Sequence, residues 1–166
     1  MNPVNELTAG DLYYRLNNGE ENVLIAGKKA EGMAHISPNG KWLAWVEMAA
    51  GGSQNYVEAF PPEGGQRLRL EVANGIWPKW SADGAALYFI SYDRLMRQAV
   101  VEKNGISFAG EPRLILKLGS PPGLGSDLYD VATDESRVVY TDFTYLEPAV
   151  VVLIRNWPAF QRDPDF

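Results

Sequence analysis

The sequence predicts an all-β fold of about three four-stranded antiparallel units. Three observations lead there: one segment recurs three times, the copies lie at a blade-length spacing, and the strand after each copy is apolar on both faces. The copies are Ile36-Ser37-Pro38-Asn39-Gly40-Lys41-Trp42-Leu43-Ala44-Trp45, Trp80-Ser81-Ala82-Asp83-Gly84-Ala85-Ala86-Leu87-Tyr88-Phe89 and Val131-Ala132-Thr133-Asp134-Glu135-Ser136-Arg137-Val138-Val139-Tyr140. Their starts are 44 and 51 residues apart, the longer interval holding the Gly/Pro-rich stretch Gly119 to Gly125. A strand-rich period near 40–45 residues matches one four-stranded propeller blade. The fold class expected is a partial β-propeller of about three antiparallel blades, spanning residues 1–166 as a single unit.

The first element is a hairpin over 11–25. Leu12 to Leu16 and Asn22 to Ile25 bracket Asn17-Asn18-Gly19, a strong two-strand turn signal. A helix from Thr8 is the rival reading, since Thr8 and Asp11 resemble a capping box.

The first blade is placed at 33–72. Its Ser37-Pro38-Asn39-Gly40 turn has a mechanism: Pro38 presets φ, Asn39 tolerates the next position, and Gly40 takes a left-handed φ without penalty. The following Trp42 to Val46 is continuously apolar, as a strand covered on both faces should be. Asn55 to Phe60 and Gln66 to Leu70 supply two more strands around Pro61-Pro62-Glu63-Gly64-Gly65.

The second blade, at 77–116, repeats the plan with Ala86 to Ile90, Leu95 to Val101 and Arg113 to Leu116, punctuated by Gly105 and Gly110. The last blade and tail, at 127–157, hold Asp127 to Ala132, Arg137 to Asp142 and Ala149 to Ile154. Glu135 stands where glycine belongs, at a cost of about 1–2 kcal/mol in the left-handed region, so this hairpin is expected to be remodelled. The strands number two, four, four and three, and no long amphipathic helix is expected.

Composition excludes much chemistry. At 166 residues and 46% apolar the chain is long enough for a substantial core. With 15 Lys and Arg against 21 Asp and Glu its net charge is −6, which argues against nucleic acid or an anionic membrane as partner. There is no cysteine, which removes thiol nucleophiles, disulfides and iron–sulfur clusters. One histidine, His35, cannot build a multi-histidine metal site. No metal and no cofactor is expected. The longest apolar runs, Ala85 to Ile90 and Ala149 to Ile154, are strand length, and Met1 to Glu6 lacks the basic start of a signal peptide. The expectation is a soluble chain in the cytoplasm, with the periplasm as the alternative.

The runs HISPNGKWLAWVE, IWPKWSADGAALYFIS, DRLMRQAVV, FAGEPRLIL and YDVATDESRVVY resemble TolB-like, WD-like propeller repeats, from about Asp11 to Phe160. The ending VVLIRNWPAF is similar to the C-terminal end of propellers fused to bacterial serine/threonine kinases and winged-helix regulators. Those relatives carry more blades, so the resemblance implies only the last three or so. The departures are Ala82 for the usual proline and Thr133-Asp134-Glu135 in the third turn.

Three blades on one short chain do not close with ordinary geometry, and each end would expose an apolar face larger than monomers usually tolerate. Two copies give enough strands for six blades of four. A homodimeric six-bladed ring is expected, with the N-terminal hairpin completing the partner's last blade.

Aligning the repeats puts His35, Lys79 and Asp130 at one equivalent position, on the strand expected to line a channel. A histidine, an ammonium and a carboxylate there suit a small polar or anionic ligand; the plain alternative is an unconstrained wet wall. Asp93, Asp127 and Trp77 are further candidates on the rim. Ser53 and Ser126 lie in no nucleophile elbow, Gly119 to Gly125 lacks the lysine of a phosphate loop, and Asp127, Asp130, Asp134, Asp163 and Asp165 match no calcium loop. No catalytic residue is assigned. The leading expectation is a non-catalytic interaction module recognising a peptide, a protein or a small polar ligand at the channel mouth. The alternatives are a hydrolase using rim carboxylates and a structural end segment of a longer regulator or peptidase.

Overall fold

In the computed structural model, residues 10–61, 65–118 and 128–141 are described, and these form β-structure with no helix. The strands are β1 (Leu12–Arg15), β2 (Glu21–Ile25), β3 (Ala30–Ile36), β4 (Trp42–Ala49), β5 (Gly52–Ala59), β6 (Leu68–Arg69), β7 (Gly75–Trp80), β8 (Ala86–Ser91), β9 (Arg94–Glu102), β10 (Ile106–Lys117), β11 (Tyr129–Val131) and β12 (Val138–Tyr140). They make four antiparallel sheets in chain order: β1-β2, β3-β4-β5-β6, β7-β8-β9-β10 and β11-β12. The hairpin over 11–25 forms as expected, and residues 12–15, which the rival helix would have included, are strand; Thr8 lies outside the described residues. The strand expected over Ala149 to Ile154 lies outside the described residues.

The sheets stack through three apolar layers. Leu43 and Trp45 of β4 pack with Ile25 and Leu12 of the first hairpin, while their neighbour Ala44 packs with Leu87 of β8. On β8, Leu87 faces that layer, and Tyr88 and Ile90 face Leu128 and Tyr129 on the other side. Side chains alternate across a strand, so each middle strand buries one set of residues against the sheet before it and the other against the sheet after it. This explains the unbroken apolar runs: all six residues of β8 are buried. Equivalent positions, 44 residues apart, face equivalent directions, and the stacking is therefore head-to-tail.

The turns between the first two strands of each unit are built alike. Ser37 Oγ donates to Asn39 Oδ1 (2.8 Å) and accepts from Trp42 N (3.0 Å), and Ser81 does the same with Asp83 (2.7 Å) and Ala86 (2.8 Å). Gly40 and Gly84 take φ of 74° and 73°. The third turn corrects the sequence expectation. It is not remodelled: Glu135 N donates to Ala132 O (2.8 Å), Asp134 accepts from Ser136 N, and Glu135 itself takes φ 55°. Its side chain supplies the reason. Glu135 Oε1 accepts from Tyr88 Oη (2.5 Å) and Arg97 Nε (3.1 Å), and its other oxygen lies 3.5 Å from Arg113 Nη2. Charge-assisted bonds across the sheet interface offset the left-handed strain.

Two further departures concern strand extent. The stretch expected as a loop around Gly105 and Gly110 is mostly strand, because β10 continues through a bulge at Gly110 (φ 64°) clamped by Gln98 Nε2 on the Ala109 and Gly110 carbonyls (both 3.1 Å). Conversely β6 is only two residues long, so the fourth strand of the first unit is shorter than Gln66 to Leu70.

The Tyr88 hydroxyl, followed by Arg97, holds the Glu135 carboxyl below its ordinary 4.5. A carboxyl with a depressed folded-state pKa contributes stability that is complete above its unfolded value and is lost as pH falls through its folded value. Glu135→Gln should therefore lower stability by about 1 kcal/mol at neutral pH, and urea denaturation should show the deficit relative to the unaltered chain shrinking below pH 4.5. A deficit unchanged down to the acid limit would show that the carboxylate charge is not what ties these sheets.

Candidate functional site

The first strands of successive sheets adjoin one another. The Trp80 indole Nε1 of β7 donates to the His35 carbonyl of β3 (3.0 Å), and Tyr129 Oη of β11 donates to the Trp77 carbonyl of β7 (2.7 Å). In return, Lys79 Nζ donates to the Tyr129 carbonyl (2.8 Å) and sits 5.4 Å from the centroid of the Tyr129 ring. Positions aligned by repeat spacing thus lie on neighbouring strands.

A shared bulge sets their direction. The β3–β4 register shifts between Gly32 and His35, and the β7–β8 register shifts between Ile76 and Lys79. At the same place in each, a bulky residue takes a left-handed backbone: Met33 (φ 54°) and Trp77 (φ 54°). Bulges re-aim the residue that follows them, and here those residues include His35 and Lys79. Gly32 borders the first bulge and Pro78 lies inside the second, but the two are not at equivalent repeat positions, so spacing alone did not reveal it.

Lys79 and Asp130 come together in a cleft of about 320 Å³ that Tyr129, Tyr140 and Thr141 also line. The ammonium is pinned by Tyr129, and Asp130 Oδ1 accepts from Val131 N (3.0 Å). Burial, and after it the neighbouring Asp130 charge, pushes the Tyr129 phenol well above its ordinary value, so it remains a hydrogen-bond donor at neutral pH. The cleft can present a cation and a carboxylate side by side to a small polar group. His35 is one sheet back, half-buried on β3.

The rim candidates separate. Trp77 is half-buried against the layer holding Tyr88 and Tyr129. Asp93 lies 3.7 Å from both Arg94 Nε and Lys117 Nζ. Asp127 is outside the described residues. Among the described residues no group of three or more histidine, cysteine, aspartate or glutamate side chains is placed to hold a metal ion. No helix among them is long and apolar enough to cross a membrane. Neither a protein-family model nor a curated protein matches the chain.

The Tyr129 hydroxyl fixes β11 to the strained Trp77 turn of β7, and Tyr129→Phe removes it without changing the buried ring. The expected loss is about 1–2 kcal/mol, read by equilibrium denaturation. An unchanged midpoint would mean that ring packing alone joins the two strands.

Proposed function

We propose that the chain is a non-catalytic binding scaffold, part of a TolB-like or WD-like β-propeller that two copies complete. The head-to-tail stacking carries this reading. In such stacking the two ends of the array present different faces, each the complement of the other, and a rotation between copies closes a ring. At one end, Val139 of β12 alternates with the inward Val138 and is 74% exposed, although its counterparts Tyr88 and Ala44 are buried against a following sheet. At the other end, Tyr13 and Val23 are cross-strand partners on β1-β2, 53% and 58% exposed, opposite the inward Leu12 and Leu24. Among the described residues each end of the array carries a two-stranded sheet, and the two together supply the strands of one four-stranded sheet between copies.

In this reading the Lys79–Asp130 cleft is the recognition site, for a small polar ligand or the polar end of a peptide. It adjoins the last described sheet, so the partner's hairpin and the ligand would meet at the same blade. Binding, rather than catalysis, fits a cleft whose cation is already engaged by a backbone carbonyl and an aromatic ring.

Light scattering should give twice the 18.4 kDa of one chain, and Val139→Lys should return it to a single chain with the fold retained. In a ligand screen on the dimer, Lys79→Ala should abolish any ligand-dependent rise in melting temperature. A single-chain mass at micromolar concentration for the unaltered protein would refute the ring, and a melting shift that survives Lys79→Ala would refute the site.

A further inference from the structure

A second cleft, of about 540 Å³, opens between the two four-stranded sheets at the end of β4 away from the Ser37–Gly40 turn. Lys29, Glu47, Gln54, Tyr56, Arg69 and Tyr92 wall it. Nothing in the recognition reading above uses these residues.

Its cations are held in place. Gln54 Nε2 donates to the carbonyls of Leu70 (2.5 Å) and Asn55 (3.2 Å), which fixes the amide, and Gln54 Oε1 then accepts from Arg69 Nε (2.9 Å). The Nε bond orients a planar guanidinium whose two terminal nitrogens lie beyond it. Lys29 Nζ donates to Glu47 Oε1 at 2.6 Å, using one of its three protons and neutralising the only carboxylate among the described residues of the wall. The wall therefore carries one net positive charge on a chain of net −6. Tyr56 is held by stacking on Trp45 at 4.8 Å between ring centroids.

The backbone of the wall is strained. Tyr92 adopts a left-handed φ of 56°, which is costly for a bulky non-glycine residue, and Asn74, a type that tolerates this region better, takes 53°. The Asn74 conformation sets its Oδ1 against Gly52, where a Cβ would come within 2.1 Å of it. Tyr92 is left 60% exposed. Strain of this kind collects at ligand clamps.

We propose that this cleft binds a carboxylate, taken in bidentate fashion by the Arg69 guanidinium with the Lys29 ammonium as second cation. A planar guanidinium matches the two oxygens of a carboxylate as an ammonium cannot. The pre-set Gln54–Arg69 bond lowers the ordering cost of making that pair. The carboxylate belongs either to a free small acid or to an acidic side chain of a peptide.

Titration calorimetry at low salt with glutarate, and separately with an acetylated and amidated tri-glutamate peptide, tests this on the full chain. Saturable binding is expected for at least one probe, with amide chemical-shift changes centred on Gly52, Ser53 and Tyr92. Glutarate alone binding assigns a free acid, and the peptide alone binding assigns an acidic segment. Arg69→Gln and Lys29→Gln should each weaken binding about tenfold or more, whereas Arg94→Gln, outside the cleft, should not. Shift mapping on the unaltered protein and Lys29→Gln decide the matter if Arg69→Gln does not fold. The proposal is overturned if neither probe binds, if the shifts centre on Lys79 and Asp130, or if affinity survives both substitutions.

Discussion

Two-sided burial of the middle strands is the constraint on which the rest depends. Strands β4 and β8 carry apolar side chains on both faces, and each buried Leu, Ile or Phe side chain is worth roughly 1.5–3 kcal/mol only if both faces are covered. A single sheet therefore has no stable existence here. It must be sandwiched, and the neighbours that sandwich it have the same need. Repetition follows from that need, since a unit that covers its predecessor with one face presents to its successor the face that its predecessor presented to it.

Polar bonds then fix how the units sit on one another. Apolar layers are non-directional, whereas the Trp80 indole on the His35 carbonyl, the Tyr129 hydroxyl on the Trp77 carbonyl and the Glu135 carboxylate on Tyr88 and Arg97 are specific in register. Asn39 and Lys41 add a similar tie, both donating to Glu102 (2.8 and 3.0 Å). These bonds join strands from successive sheets, and several use residues at or next to the repeat turns. The turn is thus a hairpin device and also a docking device, which is why Glu135 occupies a place that backbone preference would give to glycine.

Much of this was legible in the sequence, because it is local. The Ser37-Pro38-Asn39-Gly40 turn, the Asn17-Asn18-Gly19 hairpin and the two-faced strands follow from residues adjacent in the chain. The Glu135 turn was misread, since the groups that hold it, Tyr88, Arg97 and Arg113, lie far away in sequence. The bulges at Met33 and Trp77 are marked by different residues, Gly32 beside one and Pro78 within the other, so no shared signal stood out, although the two bulky residues do stand 44 apart. Repeat alignment brought Lys79 and Asp130 to one cleft, but the larger Lys29–Arg69 cleft went unseen. It is assembled from the start of β3, the β4-β5 hairpin, β6 and the β8-β9 turn, and no short motif encodes that meeting. In retrospect Gln54 and Gln98, also 44 apart and both clamping backbone carbonyls, were the readable part of it.

The most direct test of the head-to-tail arrangement uses the absence of cysteine from the chain. One preparation would carry Tyr13→Cys and another Tyr140→Cys, which share a face of the sheet formed between copies, mixed under exchange conditions and treated with a short bismaleimide. Linkage between the two different preparations, with little within either one alone, is the result expected when the hairpin of one copy lies beside β12 of another in a shared sheet. Efficient linkage within a single chain carrying both cysteines, at a rate independent of protein concentration, would contradict it.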